Sequence, residues 1–176
     1  VTVDFVDYVK NVASSEIYPT WEESALRANI LAIVSFALNR VYTEWYRNRG
    51  YSFTITSSTA YDQKFIYGRT IYANIDRIVD SVFVNYVSRP GIKQPLFTSY
   101  CNGTTATCRG LSQWGSKYLA DEGYSAIEIL RNYYGNDVFM LYYDNRTSPT
   151  RLTVDAKMIL FGSNIASYRL VKGTTV

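Results

Sequence analysis

Residues 20–50 read TWEESALRANILAIVSFALNRVYTEWYRNRG. Leu26, Ile30, Ile33, Val34, Ala37, Val41 and Trp45 recur at three- and four-residue spacing, which places them on one stripe of a helix from Trp21 to about Arg49. Thr20 with Glu23 three residues on has the form of a capping box, and Gly50 is placed to stop the helix. At about 1.5 Å per residue it would run roughly 40 Å, long enough to be the central element of a fold.

Working outward, Asp4 is placed to cap a shorter helix in which Phe5, Val9, Val12 and Ala13 share a face, ending near Ser14 or Ser15. Ser15-Glu16-Ile17-Tyr18-Pro19 then breaks the chain, because the residue before a proline is pushed out of helical geometry. Downstream, Ser52–Thr59 alternates as a strand, Gly68 turns, and Ile71–Phe83 has helical spacing, although Val82–Tyr86 also reads as a strand. Arg89-Pro90-Gly91 is a turn and Pro95–Tyr100 a returning strand. Two short helices follow: Ser112–Glu122 closed by Gly123, and Ser125–Tyr134 opened by Ser125 with Glu128 and closed by Gly135. Val138–Tyr143 is a last strand candidate. Asn145–Pro149 looks like a linker, and Met158–Phe161 is an apolar island in a polar tail. Separated blocks of helix and strand predict an α+β fold, a long central helix and several shorter ones packed against a small, mostly antiparallel sheet. The expected division is a domain at 1–144 and a linker or C-terminal extension at 145–176.

Composition limits the chemistry. With no histidine in 176 residues, Ser-His-Asp and Cys-His nucleophiles and His-based zinc sets are excluded, so carboxylates or tyrosines must handle any protons. Seventeen tyrosines, 8 Phe and 3 Trp supply flat rings, many with a polar tip, suited to hydroxyl-rich ligands such as sugars. A net charge of +3 with no basic run argues against nucleic acid, and no apolar run approaches the ~18 residues of a membrane span. Val1 in place of an initiator Met, with no signal segment, reads as a mature or excised fragment.

Glu16 lies in the break between the first two helices, flanked by serines and by Ile17, Tyr18 and Trp21, with no other charged side chain within five residues. A carboxyl in an apolar, aromatic pocket favours its neutral form, as a general acid requires; the plain alternative is a solvated loop glutamate. Tyr61 and Gln63, and Ser112, Gln113 and Trp114, combine donor–acceptor groups with rings that stack on sugars. For Ser112 the plain alternative is a helix N-cap, and for Gly115 close helix packing. Cys101 and Cys108 enclose six residues. A disulfide there would contribute roughly 2.5 kcal/mol in the chain-entropy model, with zinc and two free thiols as rivals.

These pieces together resemble one family. Val12-Ala13-Ser14-Ser15-Glu16-Ile17 with Ser24-Ala25-Leu26-Arg27-Ala28 resembles the opening of the stage II sporulation protein D, or amidase-enhancer, domain. Ser58–Phe65 is similar to its Gln-containing segment, and Pro95–Tyr100 to its strand leading into a polar loop. Gly110-Leu111-Ser112-Gln113-Trp114-Gly115, with Gly123-Tyr124-Ser125, Glu128-Ile129-Leu130 and Tyr133-Tyr134, resembles its closing signature. The chain departs from the family in having Cys101-Asn102-Gly103-Thr104 and Arg109-Gly110 where histidines and further glycines are common.

The resemblance implies a peptidoglycan lytic transglycosylase cutting between N-acetylmuramic acid and N-acetylglucosamine. Glu16 would act first as acid and then as base, giving 1,6-anhydro ends. Tyr61, Gln63, Ser112, Gln113 and Trp114 would bind the sugar. No cofactor would be required; zinc at Cys101 and Cys108 is less favoured than a disulfide. The implied partners are peptidoglycan glycan strands, a homodimer is compatible, and the implied location is extracytoplasmic, in the cell wall or spore envelope of a bacterium. The alternative is a catalytically inactive relative that binds peptidoglycan or serves as a surface structural protein, an idea prompted by the missing histidines.

Overall fold

The structure is a computed structural model and describes residues 1–142 and 150–155. The linker expected at Asn145–Pro149 and the apolar island at Met158–Phe161 both lie outside the described residues. In order the elements are β1 (Thr2–Asp4), α1 (Phe5–Glu16), α2 (Glu23–Tyr42), a short 3-10 turn (Arg47–Arg49), β2 (Ile55–Thr56), α3 (Ala73–Val82), β3 (Asn85–Ser88), β4 (Tyr100–Cys101), β5 (Leu111–Ser112), α4 (Gln113–Asp121), α5 (Ala126–Tyr134), β6 (Phe139–Tyr142) and β7 (Arg151–Asp155). This is an α+β fold.

Helix α2 is the centre. Every residue from Ala28 to Arg40 is buried, and α1, α3, α4, α5 and β3 all pack on it. The single stripe expected from spacing is therefore too narrow: a helix apolar on all sides is one that neighbours cover on all sides. Its few polar residues serve as ties. Asn29 donates to Ser116 Oγ (2.8 Å), Asn39 to the Pro95 carbonyl (2.9 Å), and Ser35 Oγ accepts from the Val87 amide (2.7 Å). A buried polar group without a partner is costly, and among the described residues no buried side-chain polar atom lacks one.

Both ends of α2 differ from expectation. The Thr20–Glu23 capping box does not form, because Tyr18–Trp21 is a turn closed by the Trp21 amide on the Tyr18 carbonyl (3.2 Å), and the helix begins at Glu23. At the far end the helix stops at Tyr42, making it about 30 Å long. Glu44 takes a positive φ of 48° and turns the chain, which brings Tyr46 against Asp62. Gly50 ends the 3-10 turn that follows, with φ of 89°.

The strands form three small sheets ordered β1-β7-β2, β3-β6 and β4-β5. The longer pairings, β1 with β7 and β3 with β6, are antiparallel; the two-residue pairings of β2 with β7 and β4 with β5 are parallel. Of the strand expected at Ser52–Thr59 only Ile55–Thr56 pairs, and of Pro95–Tyr100 only Tyr100 enters a strand. β7, beyond the boundary expected at 144, lies between β1 and β2, with Leu152 and Val154 buried in the common core. Those five residues thus share a sheet with the N-terminus.

Candidate active site

Glu16 ends α1, where Ile17 turns extended. The buried face of α1, including Tyr8, Val9, Val12 and Ala13, fixes the helix against the core, so its last residue projects from a rigid support. Three separate segments converge on its carboxyl. Glu16 Oε2 accepts from the Lys64 amide at 2.8 Å and from the Tyr100 hydroxyl at 3.0 Å, and Oε1 accepts from Gln113 Nε2 at 2.9 Å.

Each donor is held from behind. Residues 62–64 are locked by two anchors. The Asp62 side chain is wholly buried; it pairs with Arg40 Nε (2.8 Å) and accepts from the Tyr46 hydroxyl, the Thr56 amide and the Thr56 hydroxyl. Gln63, also wholly buried, donates to the Ile33 carbonyl (3.0 Å) and accepts from the Tyr8 hydroxyl (2.9 Å). Tyr100 is set by the register that pairs it with Leu111 and Cys101 with Ser112, which also brings Gln113 alongside. Ser112 caps α4 by accepting from the Gly115 amide (2.9 Å), leaving Gln113 as the first helical residue.

Burial is the dominant influence on Glu16 and raises its pKa from 4.5 to about 7, although the three hydrogen bonds and the nearby Lys64 charge all favour the ionised form. By accessible surface the residue is only half-buried, so its carboxyl is closely surrounded yet reachable. Tyr100 is pushed well above its ordinary pKa by burial and by the Glu16 charge, which keeps it a neutral donor.

Two adjoining depressions of about 400 and 420 Å³ share Ser15, Glu16, Lys64, Asn102 and Gln113 in their walls, so the carboxyl sits where they meet. The first continues over Tyr18, Trp21 and Trp114, the second over Asp62, Tyr100 and Cys101. Asp62 is the other carboxylate on the groove wall among the described residues, and its oxygens are already committed.

Glu16, Gln113 and Trp114 are brought together; other expected binding residues are not. Gln63 is an anchor beneath the site rather than part of its surface, since both ends of its amide are occupied and no face is open. Ser112 is a cap, as its position before α4 allows, and Gly115 lies where a Cβ would collide with the Tyr133 hydroxyl and crowd Ser112. Tyr61 is 64% exposed, does not line either depression, and contributes only its carbonyl, which accepts from Arg40 (3.2 Å). Cys101 and Cys108 form a disulfide with Cα atoms 6.1 Å apart. Inside the loop it closes, Asn102 accepts from the Thr104 and Ala106 amides and its carbonyl accepts from the Trp114 amide. Sequence reasoning missed Tyr100 and the Lys64 amide. A backbone donor has no residue signature, and Tyr100 was visible only as the last residue before the cysteine loop.

Residues 1–82 match the family model SpoIID, described as stage II sporulation protein. Over those residues, a little under half of the chain, the sequence is similar to the SpoIID family. The match contains Glu16, Tyr61, Gln63 and Lys64 and ends with α3, before Tyr100 and Gln113. No curated protein and no solved structure gives a significant match. The similarity suggests a domain related to sporulation and the cell wall, in a family associated with cell-wall lytic activity. Among the described residues no helix is long and apolar enough to cross a membrane.

Proposed function

We propose that this chain is a lytic transglycosylase of peptidoglycan, acting between N-acetylmuramic acid and N-acetylglucosamine in the cell wall or spore envelope, with Glu16 as its one catalytic carboxyl. The observation that carries the reading is Glu16 itself: half-buried at the meeting point of a groove, held by three donors, with a pKa near 7. A group with a pKa near the working pH serves well both as acid and as base.

Oε2 already receives two hydrogen bonds and Oε1 one, so the acidic proton belongs on Oε1, where only the Gln113 amide has to turn. From there it passes to the glycosidic oxygen as the bond to C1 breaks. The carboxylate left behind takes the proton of the muramic C6 hydroxyl as that oxygen closes on C1. The proton given to the leaving sugar is thus restored from the C6 hydroxyl, and no water is consumed. Two-carboxylate glycosidases need a second, free carboxylate as base or nucleophile, and Asp62 is unsuited to that part because Arg40, Tyr46 and Thr56 occupy it.

Digestion of purified glycan strands by wild type and by Glu16→Gln, with products read by mass spectrometry, tests this. Wild type should release 1,6-anhydro ends and Glu16→Gln should lose at least about a hundredfold in rate. Binding of strands without any 1,6-anhydro product from wild type would instead support the inactive wall-binding alternative.

A further inference from the structure

Beyond the lip of the groove a row of rings continues away from Glu16. Tyr18 stands two residues after Glu16, Trp114 directly follows Gln113, and Tyr118 lies one helical turn farther along α4 on the same face as Trp114. Ring centroids are 5.6 Å apart between Tyr18 and Trp114 and 6.2 Å between Trp114 and Tyr118. Trp21, buried behind them, meets Trp114 edge-on at 5.1 Å and fixes its tilt.

Tyr18 and Tyr118 are each 55% exposed, so core packing does not account for either. Neither hydroxyl has a hydrogen-bond partner among the described residues. Lys117, held by Asp121, sits 5.3 Å from the centre of the Tyr118 ring and so covers one face, leaving the other for a ligand. Tyr18 and Trp114 border the same depression as Glu16, whereas Tyr118 does not. A row of flat apolar faces with unpartnered hydroxyls at their edges matches one chemistry, that of a pyranose ring, which has an apolar face and a rim of hydroxyls.

We infer that Tyr18, Trp114 and Tyr118 form a stacking platform that holds saccharide units of the strand beyond those over Glu16, with Tyr118 taking the outermost unit. This rests on the glycan reading of the groove and adds a consequence: the protein grips long strands better than short ones. Oligomers of β-1,4-linked N-acetylglucosamine, from dimer to hexamer, are the probe, titrated into the Glu16→Gln protein and followed by tryptophan fluorescence and calorimetry. Affinity should rise with length by about tenfold once the outermost position is filled, the size of one good ring contact. Tyr118→Ala should flatten that rise, and Tyr118→Phe should keep most of it, because the ring rather than the hydroxyl carries the stacking. An undiminished rise in Tyr118→Ala, or no binding of any oligomer, overturns the platform. The catalytic reading fails separately, by wild type giving no 1,6-anhydro product, and that outcome leaves the titration fully interpretable.

Discussion

The cost of holding Glu16 ready to act should be measurable as a pH-dependent loss of stability. The folded chain raises the carboxyl pKa from 4.5 to about 7, so between those values the folded state binds a proton that the unfolded chain has released. Stability therefore falls as pH rises through this window and stays low above it. At about 1.4 kcal/mol per pKa unit the full effect is ~3 kcal/mol, and groove solvent screening a half-buried group reduces this to ~1–2 kcal/mol. Glu16→Gln removes the titration and keeps the shape. Its amide oxygen still accepts from Lys64 and Tyr100, and Gln113 restores the third contact by turning its own amide over. Urea denaturation of both proteins at pH 5 and pH 8 reads the difference. The glutamine variant should gain ~1–2 kcal/mol on wild type between the two pH values, or about 2–8 °C in Tm for a chain of this size. An equal offset at both pH values would show that burial does not tax the charged carboxyl, and the basis for Glu16 as a general acid would go with it.

Two further perturbations reach the same carboxyl. Tyr100→Phe removes a donor that favours the ionised form, so the falling limb of kcat/KM against pH, set by loss of the Glu16 proton, should move up by about one pH unit, and an unmoved limb would show that the hydroxyl does not act on Glu16. Reduction of Cys101–Cys108 frees the loop that follows Tyr100 and should lower stability by ~2.5 kcal/mol, read as a drop in Tm with dithiothreitol that a Cys101→Ser, Cys108→Ser double variant does not show.

Elements whose cause is local were legible from the residues alone. The Ser125–Glu128 capping box forms as written, and both of its hydrogen bonds are present. Gly123 and Gly135, expected to close the two short helices, follow α4 and α5 with positive φ. Where burial decides, the reading was partial. Spacing found the core side of α2 but not that its other faces are also covered, because periodicity reports one environment and α2 is packed by neighbours on every side. The capping box at Thr20 failed for a tertiary reason: Trp21 is drawn into contact with Trp114, some ninety residues on, and the turn that allows this takes the place of a first helical turn.

The candidate site shows the same division at the scale of single side chains. Glu16 was legible because its own neighbours in sequence, Ile17, Tyr18 and Trp21, also surround it in space. Gln63 reads as a sugar contact in sequence because a glutamine amide has the same donors and acceptors whether it faces a sugar or, as in the structure, the Ile33 carbonyl. The structure makes its part indirect. Gln63 and Asp62 tie one short segment to α1, α2 and β2, and the product of those ties is a single backbone N–H at Lys64 aimed at Glu16. The segment's contribution to the site is thus an orientation rather than a functional group, and orientation is what a sequence motif records least directly. The aromatic row differs again: Trp114 and Tyr118 share a helix face by spacing alone, whereas Tyr18 meets Trp114 through tertiary packing, in which α4 lies on α2, Trp21 touches both rings and Gln113 reaches Glu16. Gln113 touches the Glu16 carboxyl and the next residue, Trp114, touches Tyr18, so the first turn of α4 adjoins both the carboxyl and the aromatic row, a juxtaposition that no local pattern in either segment could record.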